Sequence, residues 1–291
     1  MNRAKALAGA AFAAPAFALM LALLIGPLLV LLALSVTDYR LGAMAVRVIG
    51  LGHYAALFQD EVFQRALRNT FLYVGLVLPG AVFGGLGIAL LVHARVRTRS
   101  FYEVIYFLPV TSTLVAMATV WQFMLHPSLG PVSAIFAALG LAGVDLLNDP
   151  SLALGTLAMI GLWQQVGFNM VLFLAGLSAI PRDLYEAAAL DGAGGGIDRF
   201  LRVTWPLLGP TTMFVTITST IAAFKVFDTV AVLTRGGPLG STETLLYVLY
   251  LEGFQYFRTG YAAAMTVVLL AFLIILSIIQ ARAIDRRVHY A

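Results

Sequence analysis

The sequence predicts an all-α, polytopic membrane protein with six transmembrane helices and both termini on the cytoplasmic side. Three observations predict this class: an apolar composition, six long intervals almost free of charge, and basic residues concentrated between alternate intervals. Of the 291 residues, 61% are hydrophobic and only 11% are charged, and the mean hydropathy is +0.93. Soluble domains carry about 25% charged residues. The chain therefore holds more apolar surface than a water-facing fold of this size can bury.

Each of the six intervals is long enough to cross a bilayer, because about 20 apolar residues in a helix span about 30 Å of hydrocarbon. The first span lies in an uncharged stretch that is too long to be the apolar region of a signal peptide, so we expect a retained helix. The predicted spans in chain order are Ala16–Val36, Asn69–Val92, Tyr102–Leu125, a helix within Ser151–Pro181, Pro206–Leu233 and Tyr261–Gln280.

One uncharged stretch leaves an extra helix to be placed. Residues 104–144 contain no Asp, Glu, Lys or Arg, but the run from His126 to Pro131 interrupts them with Pro and Gly. The remaining segment, Val132–Val144, is too short to cross the hydrocarbon. The sequence therefore predicts a short helix here that is either interfacial or re-entrant.

Basic residues predict the orientation, because the cytoplasmic loops of membrane proteins are enriched in Lys and Arg. With the N-terminus inside, more basic residues fall on the cytoplasmic side, and the cluster Arg95, Arg97 and Arg99 is the strongest signal. A seventh span would carry the basic C-terminal tail to the other side. The other inside residues are Arg3, Lys5, Arg182, Arg199, Arg202, Arg282, Arg286 and Arg287, and the outside ones are Arg40, Arg47, Arg65, Arg68, Arg235 and Arg258.

The composition argues against several classes of chemistry. The chain has no cysteine, which excludes disulfides, thiolate metal sites and cysteine nucleophiles. Its four histidines lack metal-ligand spacing, and neither Lys5 nor Lys225 follows the Gly-rich run of a phosphate-binding loop. No long basic run suggests nucleic-acid binding. No pair of carboxylates, and no serine with a histidine, is visible at membrane depth, which disfavours an intramembrane enzyme. We therefore expect no metal, no catalytic residue and no cofactor bound by this chain.

The segment between the fourth and fifth spans, residues 181–205, predicts a helix–turn–helix. Pro181 suits the start of a short helix, and Asp183 and Glu186 follow where the helix dipole favours acids. Gly192 and the glycines after it permit a sharp turn, because glycine accepts a positive φ. Ile197–Val203 then predicts a second short helix. The pattern alone fits an interfacial amphipathic hairpin as well as a docking surface for another protein.

The same segment resembles the EAA loop of binding-protein-dependent ABC transporter permeases. The matching residues are Glu186-Ala187-Ala188 and Asp191-Gly192-Ala193, followed by Phe200, Val203 and Pro206. The resemblance extends over most of the chain. It is most specific to the carbohydrate-type subgroup, which includes the larger maltose permease subunit and the first glycerol-3-phosphate permease subunit. Its other matching segments are Gly50–Tyr54, Asn69-Thr70, Phe107–Pro109, Trp163–Leu177, Leu233–Pro238, Ser241–Thr244 and Arg286–Tyr290.

The resemblance implies a MetI-like ABC importer permease in the bacterial inner membrane. A first helix and outer loop (1–68) would precede a five-helix core (69–291). It also implies a second homologous permease subunit, two ATPase subunits that hold ATP and Mg, and an extracytoplasmic solute-binding protein. The chain would pass an oligosaccharide, monosaccharide, polyol or glycerol phosphate by alternating access. The positions that match the ATPase-coupling motif are Glu186, Ala187, Ala188, Asp191 and Gly192.

The resemblance also implies a substrate pathway along spans four and five. When the chain is aligned with the family at Trp163, the family's sugar-contact positions fall at Gln165 and Phe168. Asn169 lies next to them in the sequence and completes a polar and aromatic cluster. When the alignment is anchored at Gly236-Gly237-Pro238, further sugar-contact positions of the family fall at Ser219, Ala223 and Val226. Because Ala223 and Val226 lack polar groups, we expect the solute of this chain to be held differently. The alternative is that these polar residues only join helices to each other.

Lys225 is the one lysine near the membrane interior. It could bind an anionic solute, extend to the outer interface, or pair with Asp228 three positions later. If Lys225 and Asp228 formed an ion relay, the chain would be an ion-coupled secondary carrier, the alternative function that the EAA loop disfavours.

Overall fold

The computed structural model describes residues 3–95, 97–140, 143–193 and 195–285. Within these ranges the chain is helical apart from turns and one isolated β-bridge between Thr37 and Val48. Several residues of the sequence analysis lie outside the described ranges. They are Gly194 of the predicted turn, Leu141 and Ala142 of the short extra helix, and Arg286, Arg287, Val288, His289 and Tyr290 of the C-terminal tail.

Twelve helical segments of the described residues are numbered here in chain order. α1 and α11 contain a π-helical turn, and α9 joins two short α-helical pieces through another. The segments are α1 (Arg3–Met20, continued by Leu21–Ile25 and Gly26–Ser35), α2 (Gly52–Leu57), α3 (Glu61–His93), α4 (Arg99–Thr111), α5 (Leu114–Met124), α6 (Pro131–Ala138), α7 (Ala153–Ala179), α8 (Arg182–Leu190), α9 (Gly196–Arg199, continued by Phe200–Thr204 and Trp205–Leu207), α10 (Gly209–Phe224), α11 (Leu245–Tyr250, continued by Leu251–Gln255) and α12 (Thr259–Asp285).

The described helices give four to six candidate membrane spans. Four of them, Ala11–Ser35, Glu61–His93, Ala153–Ala179 and Thr259–Ala283, are long and apolar enough to cross a membrane alone. Two bent pairs raise the number to six when each pair counts as one span. The pairs are α4 with α5 and α9 with α10, and each of the six predicted intervals overlaps one of these helices or pairs.

The third span differs from the single helix predicted over Tyr102–Leu125. It consists of α4 and α5, whose axes meet at 101°. Ser112 and Thr113 have extended backbones between the two helices, and the Thr113 hydroxyl accepts a hydrogen bond from the backbone N–H of Ala116 at 3.4 Å. Thr113 therefore caps a new helix, as threonine often does, and the hydropathy of the segment does not reveal this break.

The fifth span is shorter than the predicted Pro206–Leu233. Pro206 belongs to the last turn of α9, and α10 begins at Gly209 after a bend of 70°. The helix ends at Phe224, with Lys225 as its C-cap. The residues near Leu233 form a separate π-helical turn, Val230–Thr234.

The predicted extra helix is also shorter than the thirteen residues of Val132–Val144. α6 has Pro131 in its first turn, where the missing N–H of proline costs nothing, and it ends at Ala138. Ile135 and Leu139 are exposed. The choice between an interfacial and a re-entrant helix stays open.

The described chain divides into two compact units, one formed by the described residues up to 61 together with 249–272, and the other by the described residues from 62 to 248 together with 273–285. The second unit has a core in which α3, α7 and α10 contribute buried side chains. These are Val82, Leu86, Ala89 and Val92 of α3, Met170, Phe173, Leu174 and Leu177 of α7, and Val215 of α10, together with Ile180 and Leu208.

Glycines let α3 and α7 approach closely. A Cβ at Gly80 would lie 2.8 Å from Leu162, and one at Gly85 would lie 2.6 Å from the Cβ of Asn169. Gly84 also faces α7, whereas a Cβ at Gly87 would meet no atom within 4 Å. The glycine spacing in α3 is therefore used for helix packing, as small residues often are in membrane bundles.

Candidate functional site

The loop between spans four and five forms the predicted helix–turn–helix. Pro181, in an extended conformation, precedes α8, and Asp183 lies in its first turn, where a carboxylate interacts favourably with the helix dipole. The second limb begins at Gly196 and continues through a π-helical turn to Leu207, beyond the predicted end at Val203. The hairpin therefore runs without an extended linker into the bend before α10.

The end of α8 explains why the motif contains glycine. Gly192 has φ +88°, a conformation that L side chains rarely adopt. Its N–H bonds the carbonyl of Ala189, and the N–H of Ala193 bonds the carbonyl of Ala188 at 2.8 Å. These two bonds are those of a Schellman motif, with Gly192 as the left-handed residue that terminates the helix.

Aromatic side chains fix the hairpin to the helix bundle. The Tyr185 hydroxyl lies 3.3 Å from the Thr204 hydroxyl, so the two limbs are joined by a hydrogen bond. The Arg199 guanidinium lies over the Tyr185 ring, 5.5 Å from its centroid. Tyr185 and Phe200 both pack against the core formed by α3, α7 and α10. The hairpin is thus attached to the ends of several spans.

The motif residues are presented outward. Glu186, Ala187, Asp191 and Gly192 are exposed, and Ala188 is half-buried. Large apolar side chains, which the sequence analysis did not single out as contacts, stand beside them: Leu184, Leu190 and Ile197 are all exposed, Leu190 to 90%. The loop therefore offers a small, partly apolar surface with two carboxylates. Large apolar residues in two short polar helices, Leu184 and Leu190 in α8 and Ile197 in α9, were the sequence signal for it.

A buried polar cluster joins spans two, four and five. The Asn169 amide donates to the Ser219 hydroxyl at 2.9 Å and to the Ala81 carbonyl at 3.0 Å. Gln165 donates to the Asn169 side-chain oxygen at 3.2 Å. Asn169 and Ser219 are almost completely buried, whereas Gln165 is half-buried. In this conformation Asn169 and Ser219 join helices, and Gln165 is the member of the cluster that reaches toward a surface.

The other predicted pathway residues on these two helices differ in burial. Phe168 is exposed on α7, and Ala223 is buried on α10. Trp163, on which the alignment rests, packs edge-to-face on Trp121 of α5 at 5.5 Å. The structure thus gives no single surface that carries all seven predicted positions.

Lys225 is exposed at the C-terminal end of α10, and Val226 is half-buried beside it. Lys225 is absent from the ion pairs of the described residues, so the pair with Asp228, one of the three alternatives for this lysine, does not form here. The Val226 carbonyl accepts a hydrogen bond from Thr244 at 3.2 Å. The end of α10 is thereby connected to the following loop.

That loop, residues 234–245, is joined to the start of α3 by contacts that the sequence analysis missed. Arg65 pairs with Glu243 at 2.6 Å, and the Asn69 amide donates to the carbonyls of Gly240 and Glu243 at 3.0 Å each. The Thr70 hydroxyl accepts the N–H of Leu245 at 2.8 Å. Two motifs of the resemblance, Asn69-Thr70 and Ser241–Thr244, are therefore in direct contact.

A second polar cluster lies in the other unit. Its cavity of about 380 Å³ is lined by Asp60, Arg258 and Tyr261, among others. Arg258 pairs with the buried Glu252 at 2.5 Å, and the Tyr261 hydroxyl donates to Asp60 at 2.5 Å. Burial raises the pKa of Glu252 above its ordinary value, although Arg258 opposes the shift.

Comparison with known proteins gives a family and several relatives. The family described as binding-protein-dependent transport system inner membrane component matches residues 48–290. An sn-glycerol-3-phosphate transport system permease protein, UgpA, of Agrobacterium fabrum is 36% identical over 83% of this chain and 82% of its own length. UgpA of Yersinia enterocolitica is 34% identical over 83% and 82%. A probable ABC transporter permease protein of Pyrococcus horikoshii is 34% identical over 81% and 82%.

Two solved structures share the fold. One is a bacterial ABC transporter involved in the import of the acidic polysaccharide alginate, with a TM-score of 0.81 and 23% identity, covering 95% of this chain and 94% of that one. The other is a bacterial alginate ABC transporter in complex with an alginate pentasaccharide-bound periplasmic protein. It has a TM-score of 0.83 and 24% identity, covering 95% and 93%. These likenesses confirm the predicted all-α permease fold.

Proposed function

The chain belongs to the family of inner membrane components of binding-protein-dependent transport systems, and from this premise we propose that residues 181–205 are the surface through which partner ATPases drive it. As a permease component of an ABC importer, it is a multi-pass inner membrane protein. The ion-coupled carrier that would use Lys225 and Asp228 is not supported by this membership. The orientation proposed is the one predicted from the basic residues, with the loop in the cytoplasm.

The proposed assembly has four kinds of component. A second homologous permease subunit would complete the pathway, two ATPase subunits would hold ATP and Mg, and a solute-binding protein would deliver the solute outside. This chain would supply helices and a coupling surface, and it would bind no nucleotide itself. Movement of the coupling surface would alternate the access of a site between the helices.

The attachment of the hairpin to the bundle is the observation that carries the proposal. A docking surface transmits force only when it moves together with the spans. Tyr185 and Phe200 pack on the core of α3, α7 and α10, and the bond between Tyr185 and Thr204 holds the limbs together. A displacement of α8 would therefore reach the ends of spans four and five. The contact with the ATPase would be formed by the motif residues Glu186, Ala187, Ala188, Asp191 and Gly192.

For the solute we propose a small anionic polyol or sugar derivative, with glycerol 3-phosphate first. The most similar relatives reported above are named for glycerol 3-phosphate, and the structural neighbours import an acidic polysaccharide. Lys225 supports the proposal, because it is an exposed cation at the end of span five without a carboxylate partner among the described residues. Gln165, Phe168 and Val226 would line the pathway with it. Asn169, Ser219 and Ala223, which are buried here, would reach it only after the helices rearrange.

The test is reconstitution of the whole importer with its binding protein. ATPase activity would be measured against glycerol 3-phosphate, glycerol, maltose and alginate oligosaccharides, each with and without the binding protein. Uptake into vesicles would be measured in parallel. We expect binding-protein-dependent stimulation by one anionic solute. Stimulation by neutral sugars alone would overturn the solute proposal and leave the coupling proposal standing.

The coupling surface is tested by two substitutions, one that reverses a charge and one that adds a side chain at a glycine. We expect Glu186→Lys and Gly192→Asp to abolish uptake while the complex still contains both permease subunits. Gly42→Asp is the matched glycine control, because Gly42 lies outside the loop and likewise has a positive φ and open space around its Cβ position. Glu61→Lys, an exposed acid at the start of α3, controls for charge reversal. Normal uptake by both loop variants would overturn the assignment.

Lys225 is tested by Lys225→Gln. We expect uptake of anionic solutes to fall by up to about fivefold with uptake of neutral solutes unchanged, since an ion pair made by an exposed cation is worth about 0.2–1 kcal/mol. Unchanged transport of every solute would remove Lys225 from the pathway.

A further inference from the structure

A basic pocket lies beside the proposed coupling loop, at the ends of three spans. It has a volume of about 490 Å³ and is lined by His93 at the end of α3, Arg99 at the start of α4, Arg182 at the start of α8, and Arg199 of α9. The end of α7 contributes Ser178. Because three membrane helices end or begin here, the pocket lies at the depth where hydrocarbon meets polar headgroups.

The charge of this pocket is only partly neutralised. Arg99 pairs with Glu103 at 2.7 Å, and its remaining guanidinium edge reaches the Ser178 hydroxyl at 3.4 Å. Neither Arg182 nor Arg199 is in an ion pair with a carboxylate of the described residues. The lining of the pocket itself includes no Asp or Glu within the described chain. Guanidinium groups that converge in this way suit the oxygens of a phosphate.

An apolar groove shares Arg99 with the basic pocket. It has a volume of about 440 Å³ and lies between α4 and α7. Its polar end is formed by Arg99, Ser100 and Glu103, whose carboxylate pairs with Arg99. Its apolar walls are Val104 and Phe107 on one side and Val171 and Ala175 on the other. Phe107 lies eight positions after Arg99 on α4, which corresponds to about 12 Å along the helix axis. The groove therefore reaches from the basic pocket far enough into the hydrocarbon to hold the upper part of an acyl chain.

We propose that the two cavities together form a binding site for an anionic phospholipid, with the headgroup phosphate between Arg182 and Arg199 and an acyl chain in the groove. A soluble anion would use the pocket but would leave the apolar groove without a role. An acidic segment of a protein would meet the same difficulty. Basic pockets between membrane helices hold anionic headgroups by the same combination of charge and apolar contact.

The test is lipid binding to the detergent-solubilised importer after delipidation. Native mass spectrometry would compare the retention of phosphatidylglycerol and phosphatidylcholine with matched acyl chains. We expect a preference on the order of tenfold for phosphatidylglycerol, and its loss in the double variant Arg182→Gln with Arg199→Gln. Arg202→Gln is the matched control, because Arg202 is in the same loop, is 71% exposed and pairs with Asp198 outside the pocket. It should keep the preference.

Two further arms distinguish the source of the phosphate. Ala175→Phe fills the groove and should lower phosphatidylglycerol retention while leaving the basic pocket intact. Inorganic phosphate should not displace bound phosphatidylglycerol from the wild-type importer. Displacement by phosphate together with normal retention by Ala175→Phe would make the pocket a site for soluble anions and overturn the proposal. Equal retention of the two lipids by the wild type would overturn it as well, even if the double variant does not assemble. Because the readout is binding, none of these outcomes depends on transport.

Discussion

Asn169 and Ser219 exchange hydrogen bonds across the interface between spans four and five. The amide nitrogen of Asn169 lies 2.9 Å from the serine hydroxyl, which in turn lies 3.1 Å from the amide oxygen. Both side chains are almost completely buried. In a low-dielectric interior these hydrogen bonds are stronger than in water, and the only other side-chain partner of the pair among the described residues is Gln165, which donates to both.

We expect Asn169→Ala to lower the stability of the permease by about 1–3 kcal/mol, because it removes the bonds to the Ala81 carbonyl and to the buried Ser219 hydroxyl, which keeps only the longer bond from Gln165 at 3.4 Å. Ser219→Ala should cost less, on the order of 0.5–1.5 kcal/mol, since the Asn169 amide keeps its bond to the Ala81 carbonyl. The thermal unfolding midpoint in detergent measures both effects.

A double-mutant cycle separates the pair from its surroundings. The double variant should lose less stability than the two single variants together, because the shared bond can be lost only once. Thr218→Ala is the control on the same helix, since the Thr218 hydroxyl bonds only its own helix carbonyls. Additive effects of the two single variants would mean that the bond between Asn169 and Ser219 contributes no coupling energy.

Close packing between α4 and α7 gives a second prediction. A Cβ at Gly167 would overlap the carbonyl oxygen of Tyr106, a backbone atom that cannot move out of the way. Gly167→Ala should therefore lower the unfolding midpoint and cost about 1–3 kcal/mol or more, by forcing the two helices apart.

Gly155 is the matched control, because it lies on the same helix and a Cβ there would meet no atom within 4 Å. Gly155→Ala should be neutral or stabilising by up to about 1 kcal/mol, as alanine is the better helix former. Equal effects of the two substitutions would show that helix propensity, not packing, decides the outcome.

The sequence was informative where a property depends on neighbouring residues. Hydropathy and length predict the six spans, because the bilayer imposes both. The turn at Gly192 was predictable as well, because only the local backbone requires a positive φ there. The break at Thr113 and the early end of α10 at Lys225 were missed, because the spans were predicted from charge and hydropathy, and neither the break nor the helix end changes these.

The contacts between distant segments could not be predicted in this way. Arg65 and Glu243 are separated by 178 positions, and the sequence around one residue does not indicate that the other is its partner. The resemblance identified both surrounding motifs but not the contact between them. The burial of Asn169 and Ser219 likewise depends on the register of α7 against α10, which one sequence does not specify.

The pair of Arg65 and Glu243 gives a third prediction. Because the two side chains are 37% and 20% exposed, we expect Arg65→Glu to cost only about 0.5–1 kcal/mol from the lost attraction, plus repulsion from Glu243. The reversed pair, Arg65→Glu with Glu243→Arg, should recover part of the unfolding midpoint. Arg68→Glu, an exposed arginine one helical turn further along, is the control and should have little effect. If Glu243→Arg also raised the unfolding midpoint of the Arg68→Glu variant, the recovery would reflect net charge and not the specific pair.

Glu252 gives a prediction about pH. Its side chain is 6% exposed, one carboxylate oxygen bonds Arg258, and the other is buried without a hydrogen-bond partner among the described residues. Desolvation raises its pKa above the ordinary value of 4.5, the nearby Asp60 raises it further, and Arg258 opposes both. The folded state therefore takes up a proton at Glu252 more readily than the unfolded chain does.

The sign of the pH effect follows from this difference. As the pH falls from neutral through the raised pKa toward 4.5, the folded protein binds the proton first, so Glu252 contributes increasing stability over that window. Glu252→Gln cannot titrate, and its unfolding midpoint lacks this contribution. We expect the midpoint of the wild type minus that of Glu252→Gln to rise as the pH is lowered from 8 to 5, because all other titrating groups are shared. A difference that stays constant or falls over this range would mean that Arg258 holds Glu252 ionised in the folded state.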